Sequence, residues 1–323
     1  MFLSISRVLG FRRRFTVTIA GLLILLPATA AVSSSATASA PTRSGTVVAW
    51  GSNVNGQASV PSGLTNVTAV SAGEYNSLAL RSDGTVIGWG YVYPGDIPMP
   101  TDLSGVTAIS AGSSHNLALK SNGTVVGWGD NLGQKATPPT GLGGVVAISA
   151  GNDQSLALKS DGKVVGWGFS VYGDSTPPSD LSNVTAIAAG GFHSLALRRD
   201  GTVVAWGTNT GLGGAYYGQA VVPQGLNNAV AIAAGEYHSL ALKRDGTVVA
   251  WGGNPAGQTM VPVGLRHVVA ISAGYDFSLA LKSDGTVIAW GGNENGQLNV
   301  PSTNRYSAVD AGGWHALAMV RAR

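Results

Sequence analysis

Short apolar stretches recur along the chain, each broken by glycine or by a polar pair, and their spacing never follows a helical period. One unit shows the pattern. Val184-Thr185-Ala186-Ile187-Ala188 alternates apolar and small residues, and Ser194 to Leu197 resumes after a short loop. Asp200-Gly201 is a strong hairpin signal, because two-residue turns need the positive φ angles that Asp and Gly tolerate. Thr202 to Trp206 is β-branched and strand-like, and a further apolar segment, Ala220 to Val222, stops at Pro223. The pattern predicts four short strands per unit.

The unit repeats. Trp-Gly pairs begin at Trp50, Trp89, Trp128, Trp167, Trp206, Trp251 and Trp290, in steps of 39, 39, 39, 39, 45 and 39 residues. An Ala-Gly pair followed by a Ser-Leu-Ala-Leu-like run recurs in the same register, from Ala72 to Ala311. Strand-only repeats of this length predict an all-β, seven-bladed β-propeller over residues 45–323. The chain enters mid-unit at Thr46–Trp50 and ends at Ala311–Met319, with the two strands the first unit lacks. The two halves complete one blade, so N- and C-terminal strands close the ring and leave no open edge.

The run Val287 to Gln297, ending in Val300-Pro301, resembles the regulator of chromosome condensation repeat, as does Ala234 to Lys243. The resemblance covers residues 45–323 and implies the propeller. The compact unit with its Gly-Gln…Val-Pro segment is most similar to secreted, propeller-type β-lactamase inhibitory proteins. That resemblance implies a β-lactamase or related penicillin-recognising enzyme as target class, gripped at Tyr75, Asp153, Phe192, Tyr237, Asp276 and Trp314.

The N-terminus reads as an export signal. Arg12-Arg13-Arg14 precedes the apolar stretch Val17–Leu26 and the small residues Ala28-Thr29-Ala30, which suits a signal peptide over 1–30 cut between 30 and 40. The arginines also fit twin-arginine export. Residues 31–44, rich in Ser, Ala and Thr, are expected to be a flexible linker, and the mature protein to be secreted. The formal charge of +3 depends on this segment. Without residues 1–40 the chain has 15 Lys+Arg against 16 Asp+Glu, or −1, so no nucleic-acid partner is expected. Only 11% of residues are charged, yet no apolar run reaches the ~18–20 residues of a membrane-spanning helix. The absence of cysteine excludes disulfides, thiolate metal sites and a cysteine nucleophile.

Residues that recur in every unit are read as scaffold. The register tryptophans should pack between sheets, and the Asp of each Asp-Gly turn is turn chemistry. His115, His193, His238 and His315 share a register with Asn76, Gln154 and Phe277, which suits a buried hydrogen bond better than a metal site. What varies is the loop after each Ala-Gly. By strand parity it opens on the same side of the disc as the loop after each Trp-Gly, where a six-residue insertion carries Tyr216 and Tyr217. Glu74, Tyr75, Asp153, Phe192, Tyr216, Tyr217, Tyr237, Tyr275, Asp276 and Trp314 are therefore the candidate binding residues, an aromatic arc with interleaved acids. Exposed Tyr and Trp are frequent interface anchors. The other side carries Arg81, Lys120, Lys159, Arg198, Arg199, Lys243, Arg244 and Lys282 near the Asp-Gly turns and reads as a solvated rim.

These features predict a monomeric secreted protein that binds another extracellular protein, with no cofactor and no metal. A cell-surface adhesin or lectin is the alternative, although loops that differ between blades suit one large partner better than repeated sugar pockets. No nucleophile elbow or phosphate-binding loop marks an enzyme, and a glycan-active site would need two carboxylates ~5–9 Å apart.

Overall fold

The computed structural model describes residues 36–37, 45–91, 98–302 and 305–321. The predicted export signal lies outside them, as does most of the linker; within the linker, Ala36–Thr37 forms a two-residue strand. It pairs antiparallel with Ile109 and Ala108.

Seven antiparallel sheets make seven blades. Their inner, middle and outer strands are Val67–Ala72, Asn76–Arg81 and Val86–Gly90 in blade 1, and Val106–Ala111, His115–Lys120 and Val125–Gly129 in blade 2. Blade 3 is Val145–Ala150, Gln154–Lys159 and Val164–Gly168; blade 4 is Val184–Ala189, His193–Arg198 and Val203–Gly207. Blade 5 is Ala229–Ala234, His238–Lys243 and Val248–Gly252; blade 6 is Val268–Ala273, Phe277–Lys282 and Val287–Gly291. Blade 7 takes Tyr306–Ala311 and His315–Val320 from the C-terminal end and Val47–Gly51 from the N-terminal end, with Val47 opposite Met319 and Gly51 opposite His315. The expected closure is what the chain does.

The expected fourth strand is not formed. Gln219 to Pro223 and its equivalents run as turns, with Gly56 N–H donating to Asn53 O and Ser59 N–H to Gly56 O. Their backbone is used across the strands instead of along a ladder. The Gln57 carbonyl accepts from both Trp89 Nε1 (2.8 Å) and Ser77 Oγ (2.8 Å), and the pattern recurs at Lys135, Asp174, Gln219 and Gln258.

Apolar residues of adjacent blades interlock to make the core. Trp251 of blade 5 packs with Leu195 and Leu197 of blade 4, and Trp290 of blade 6 with Leu240 and Leu242 of blade 5. The middle strands are buried on both faces, which explains their unbroken Ser-Leu-Ala-Leu runs.

The histidine register is a latch between blades. His115, His193, His238 and His315 place Nε2 2.8, 2.8, 3.0 and 2.8 Å from Ser155, Ser239, Ser278 and Ser77 Oγ of the next blade. Each Ser Oγ–H is already given to a backbone carbonyl, so His Nε2 carries the proton and donates. The link to backbone thus runs through a serine. Between blades 6 and 7 Phe277 and Ala316 replace the pair, removing donor and acceptor together.

Candidate functional site

The loops after Ala-Gly and after Trp-Gly share one face, as strand parity predicts. Tyr91 N–H donates to Tyr75 O, Gly253 N–H to Tyr237 O and Ser52 N–H to Trp314 O. The centre of this face is an annulus of glycines. A Cβ on Gly73, Gly190 or Gly235 would lie 2.5 Å from the carbonyl oxygen of Gly112, Gly235 or Gly274 respectively, the next blade's glycine. Only glycine permits that approach. Neighbouring loops are stitched by Glu74 N–H to Gly112 O, Asn152 N–H to Gly190 O and Gly313 N–H to Gly73 O. The annulus surrounds a cavity of about 60 Å³ on the propeller axis.

The candidate aromatics stand around this annulus in two groups. Phe192 stacks on Tyr237 with centroids 5.5 Å apart and planes at 16°, and Tyr217 closes on Tyr237 at 4.9 Å. Gly211 and Gly253 make room for the Tyr217 ring, since a Cβ on either would crowd it. Tyr237 OH accepts the Leu212 N–H (3.4 Å), which ties the insertion to blade 5. Tyr216 pairs with Thr210 across the insertion and is 69% exposed. In the second group Trp314 meets Tyr275 edge-on at 4.9 Å and Tyr75 at 5.9 Å. Tyr75 also lines an apolar cavity of about 170 Å³ between blades 1 and 2, with Trp89 and Trp128.

The acids are engaged within the protein. Tyr275 crosses the axis: its hydroxyl donates to the Glu74 carboxylate of blade 1, which also accepts from Ser113 Oγ, and it lies 3.5 Å from Asn152 Oδ1 of blade 3. Tyr275 and Glu74 therefore cap the channel. Burial, then the charge of Glu74, hold the Tyr275 hydroxyl well above its usual pKa. Glu236 lies beside the annulus, and burial above all raises its pKa to about 7. Asp153 is held by Lys135 Nζ at 2.9 Å, and the same ammonium contacts Asp130 at 2.7 Å. Asp276 accepts from Gln297 Nε2 at 3.5 Å, and burial raises its pKa.

Several residues of this face were missed from the sequence. Lys135 occupies the buried register of Gln57 and Gln258, and only the fold brings Asp130 and Asp153 to it. Tyr172 meets Phe192 edge-on at 5.7 Å and extends the first aromatic group. Leu132, Phe169, Val171 and Leu212 are exposed on the loops that follow Trp-Gly in blades 2 to 4. The signal was present, because large apolar residues in loops that vary between units have no scaffold role. Among the described residues no three His, Asp or Glu side chains converge so as to hold a metal ion, and no helix is long and apolar enough to cross a membrane.

The repeated register is decisive for kinship. The model of the regulator of chromosome condensation (RCC1) repeat matches residues 67–91, 106–134, 145–174, 184–219, 229–258 and 268–297. The chain belongs to the RCC1-repeat family. No curated protein matches its sequence. Among solved structures this RCC1-repeat chain is similar to Prp20p of Saccharomyces cerevisiae, with a TM-score of 0.71 and 19% identity over 88% of this chain and 93% of that one. Human WBSCR16 gives 0.67 and 17%, over 85% of this chain and 98% of that one. The ectodomain of the Physcomitrella patens receptor kinase CR4 gives 0.61 and 24%, over 75% and 67%. At these identities the likeness is one of fold.

Proposed function

We propose that this RCC1-type propeller is an exported protein-binding module that holds a protein partner against its loop face. The row Tyr172, Phe192, Tyr237 and Tyr217 carries the reading. Four rings, each touching the next in a row on one face and bordered by exposed Phe169, Leu212 and Tyr216, form a rigid amphipathic surface. Such surfaces supply binding energy at low entropic cost. Trp314 with Tyr75 forms a second anchor across the annulus. Protein binding is in keeping with the fold family: Prp20p is described with binding properties toward Gsp1p and histones.

Resemblance to the secreted inhibitory propellers nominates a β-lactamase or related penicillin-recognising enzyme as partner, blocked at its active-site mouth. The test is a pull-down with the mature protein alongside inhibition assays on a β-lactamase panel. Tyr237→Ala and Trp314→Ala should each weaken the complex more than tenfold, over ~1.4 kcal/mol. Full affinity in both variants rejects the face. Glycan-array binding with no protein captured favours a lectin instead.

A further inference from the structure

The side of the disc opposite the loop face is electrically uneven. Its turns are joined to the segments that enter the inner strands: Arg199 N–H donates to Asn183 O, Arg244 N–H to Asn228 O, Ser283 N–H to His267 O and Arg321 N–H to Arg305 O. Turn residues and entry residues therefore form one ring. On that ring blades 4 to 7 each carry two cations. They are Arg198 with Arg199 and Lys243 with Arg244, then Arg266 with Lys282 and Arg305 with Arg321. Blade 1 has only Arg81 beside Asp83, and blade 2 only Lys120. Blade 3 sets Lys159 and Lys163 around Asp161.

Asp180, Asp200, Asp245 and Asp284 stay charged, but four carboxylates against eight cations leave this arc net positive. One carboxylate oxygen of Asp200, Asp245 and Asp284 is taken by the Thr two residues on. Lys243 and Lys282 are the cations that contact Asp245 and Asp284, at 3.5 Å each. Arg199, Arg244, Arg266, Arg305 and Arg321 are exposed, and among the described residues none forms an ion pair. The loop face is the reverse: Glu74, Asp153, Glu236 and Asp276 sit there with Lys135 as the cation among them. The disc is an electric dipole along its axis.

We infer that the underside of blades 4 to 7 docks peripherally on an anionic lipid bilayer through these five arginines, with the loop face turned outward. The five arginines lie on the linked turns and entry segments at one end of the blades and are exposed on the same side. Val263 and Val269, three residues before and after Arg266, are exposed, and apolar side chains among cations suit the headgroup region. Among the described residues the exposed aromatics, Tyr91, Phe169, Tyr172 and Tyr216, all belong to the opposite face, and none stands on the arc as a platform for stacked bases. An anionic plane attracts this side and repels the acidic one, which fixes the orientation.

The repeat itself supplies a variant that should keep the fold. Ser82, Ser121, Ser160 and Ser283 hold the register of Arg199 and Arg244, and Ser104 and Ser182 that of Arg266. The full chain should sediment with phosphatidylglycerol-containing vesicles at low salt and not with pure phosphatidylcholine. Arg199→Ser, Arg244→Ser and Arg266→Ser together should lower partitioning roughly a hundredfold, at about fivefold per charge. Removing as many charges at Arg81, Lys120 and Lys159 should change it far less, with both variants melting as the parent does. A triple variant that binds like the parent overturns the inference, because the shared N-terminal arginines would then hold the protein. So does binding to soluble polyphosphate without binding to vesicles, which would assign the arc to a dissolved polyanion.

Discussion

His238 shows what one side chain does in this ring. Fully buried, it donates from Nε2 to Ser278, and its Nδ1 has no hydrogen-bond partner. Burial lowers the pKa of His115, His193, His238 and His315 to about 3, from about 6.5 in an unfolded chain. A group depressed in the folded state adds stability above its unfolded pKa and loses it as pH falls. Each histidine should therefore withdraw up to ~1.4 kcal/mol per pH unit between about pH 6.5 and 3. Denaturant midpoints should drop steeply across that window; a midpoint unchanged from pH 6.5 to 4.5 would contradict the latch. His238→Phe with Ser278→Ala copies Phe277 and Ala316 and should flatten the acid limb by one histidine's share. Glu236 acts with opposite sign. Raised to about 7, it costs stability as pH climbs from about 4.5 through 7. Glu236→Gln should then be more stable than the parent at pH 8 and equal to it at pH 4, measured by melting at both.

At the scale of the element, the insertion after Trp206 and the loops after Ala-Gly are separable from the sheet that bears them. Removing six residues between Thr210 and Tyr217 restores the unit length of the other blades and takes away Tyr216. The variant should keep the parent's β-sheet spectrum and lose partner binding; loss of the fold would mean the insertion is structural. Gly235→Ala attacks the annulus, where a methyl would meet His238 and the Gly274 carbonyl. It should destabilise by roughly 1–3 kcal/mol, read from denaturant unfolding. Three strands of each blade were legible because alternation, the Asp-Gly turn and the Trp-Gly register all mark them. The fourth was misread because Ala220-Val221-Val222 has strand composition, whereas its backbone follows a turn closed by Val221 N–H to Gly218 O. Parity placed the aromatic loops on one face from the sequence alone. It could not show that Tyr275 lies across the axis onto Glu74, or that Asp153 meets Lys135. Those contacts join different blades or distant parts of a loop, and no periodicity encodes them.

For the whole molecule, closure depends on one short strand. Val47–Gly51 covers the edge of His315–Val320, and its Trp50 packs on Phe277 and Leu279 of blade 6. Deleting residues 45–52 should expose that edge and a large apolar surface. Cooperative unfolding should give way to aggregation, seen by light scattering during a melt. A monomeric variant with the parent's sharp transition would show that the other six blades suffice.

The glycine annulus has a practical consequence. Each loop after Ala-Gly leaves its blade from the same pair of residues and returns to the head of the same middle strand, so the sockets are alike while their contents differ. A loop could be lifted from one socket and seated in another without altering the hub. Specificity in such a molecule can be rewritten one spoke at a time.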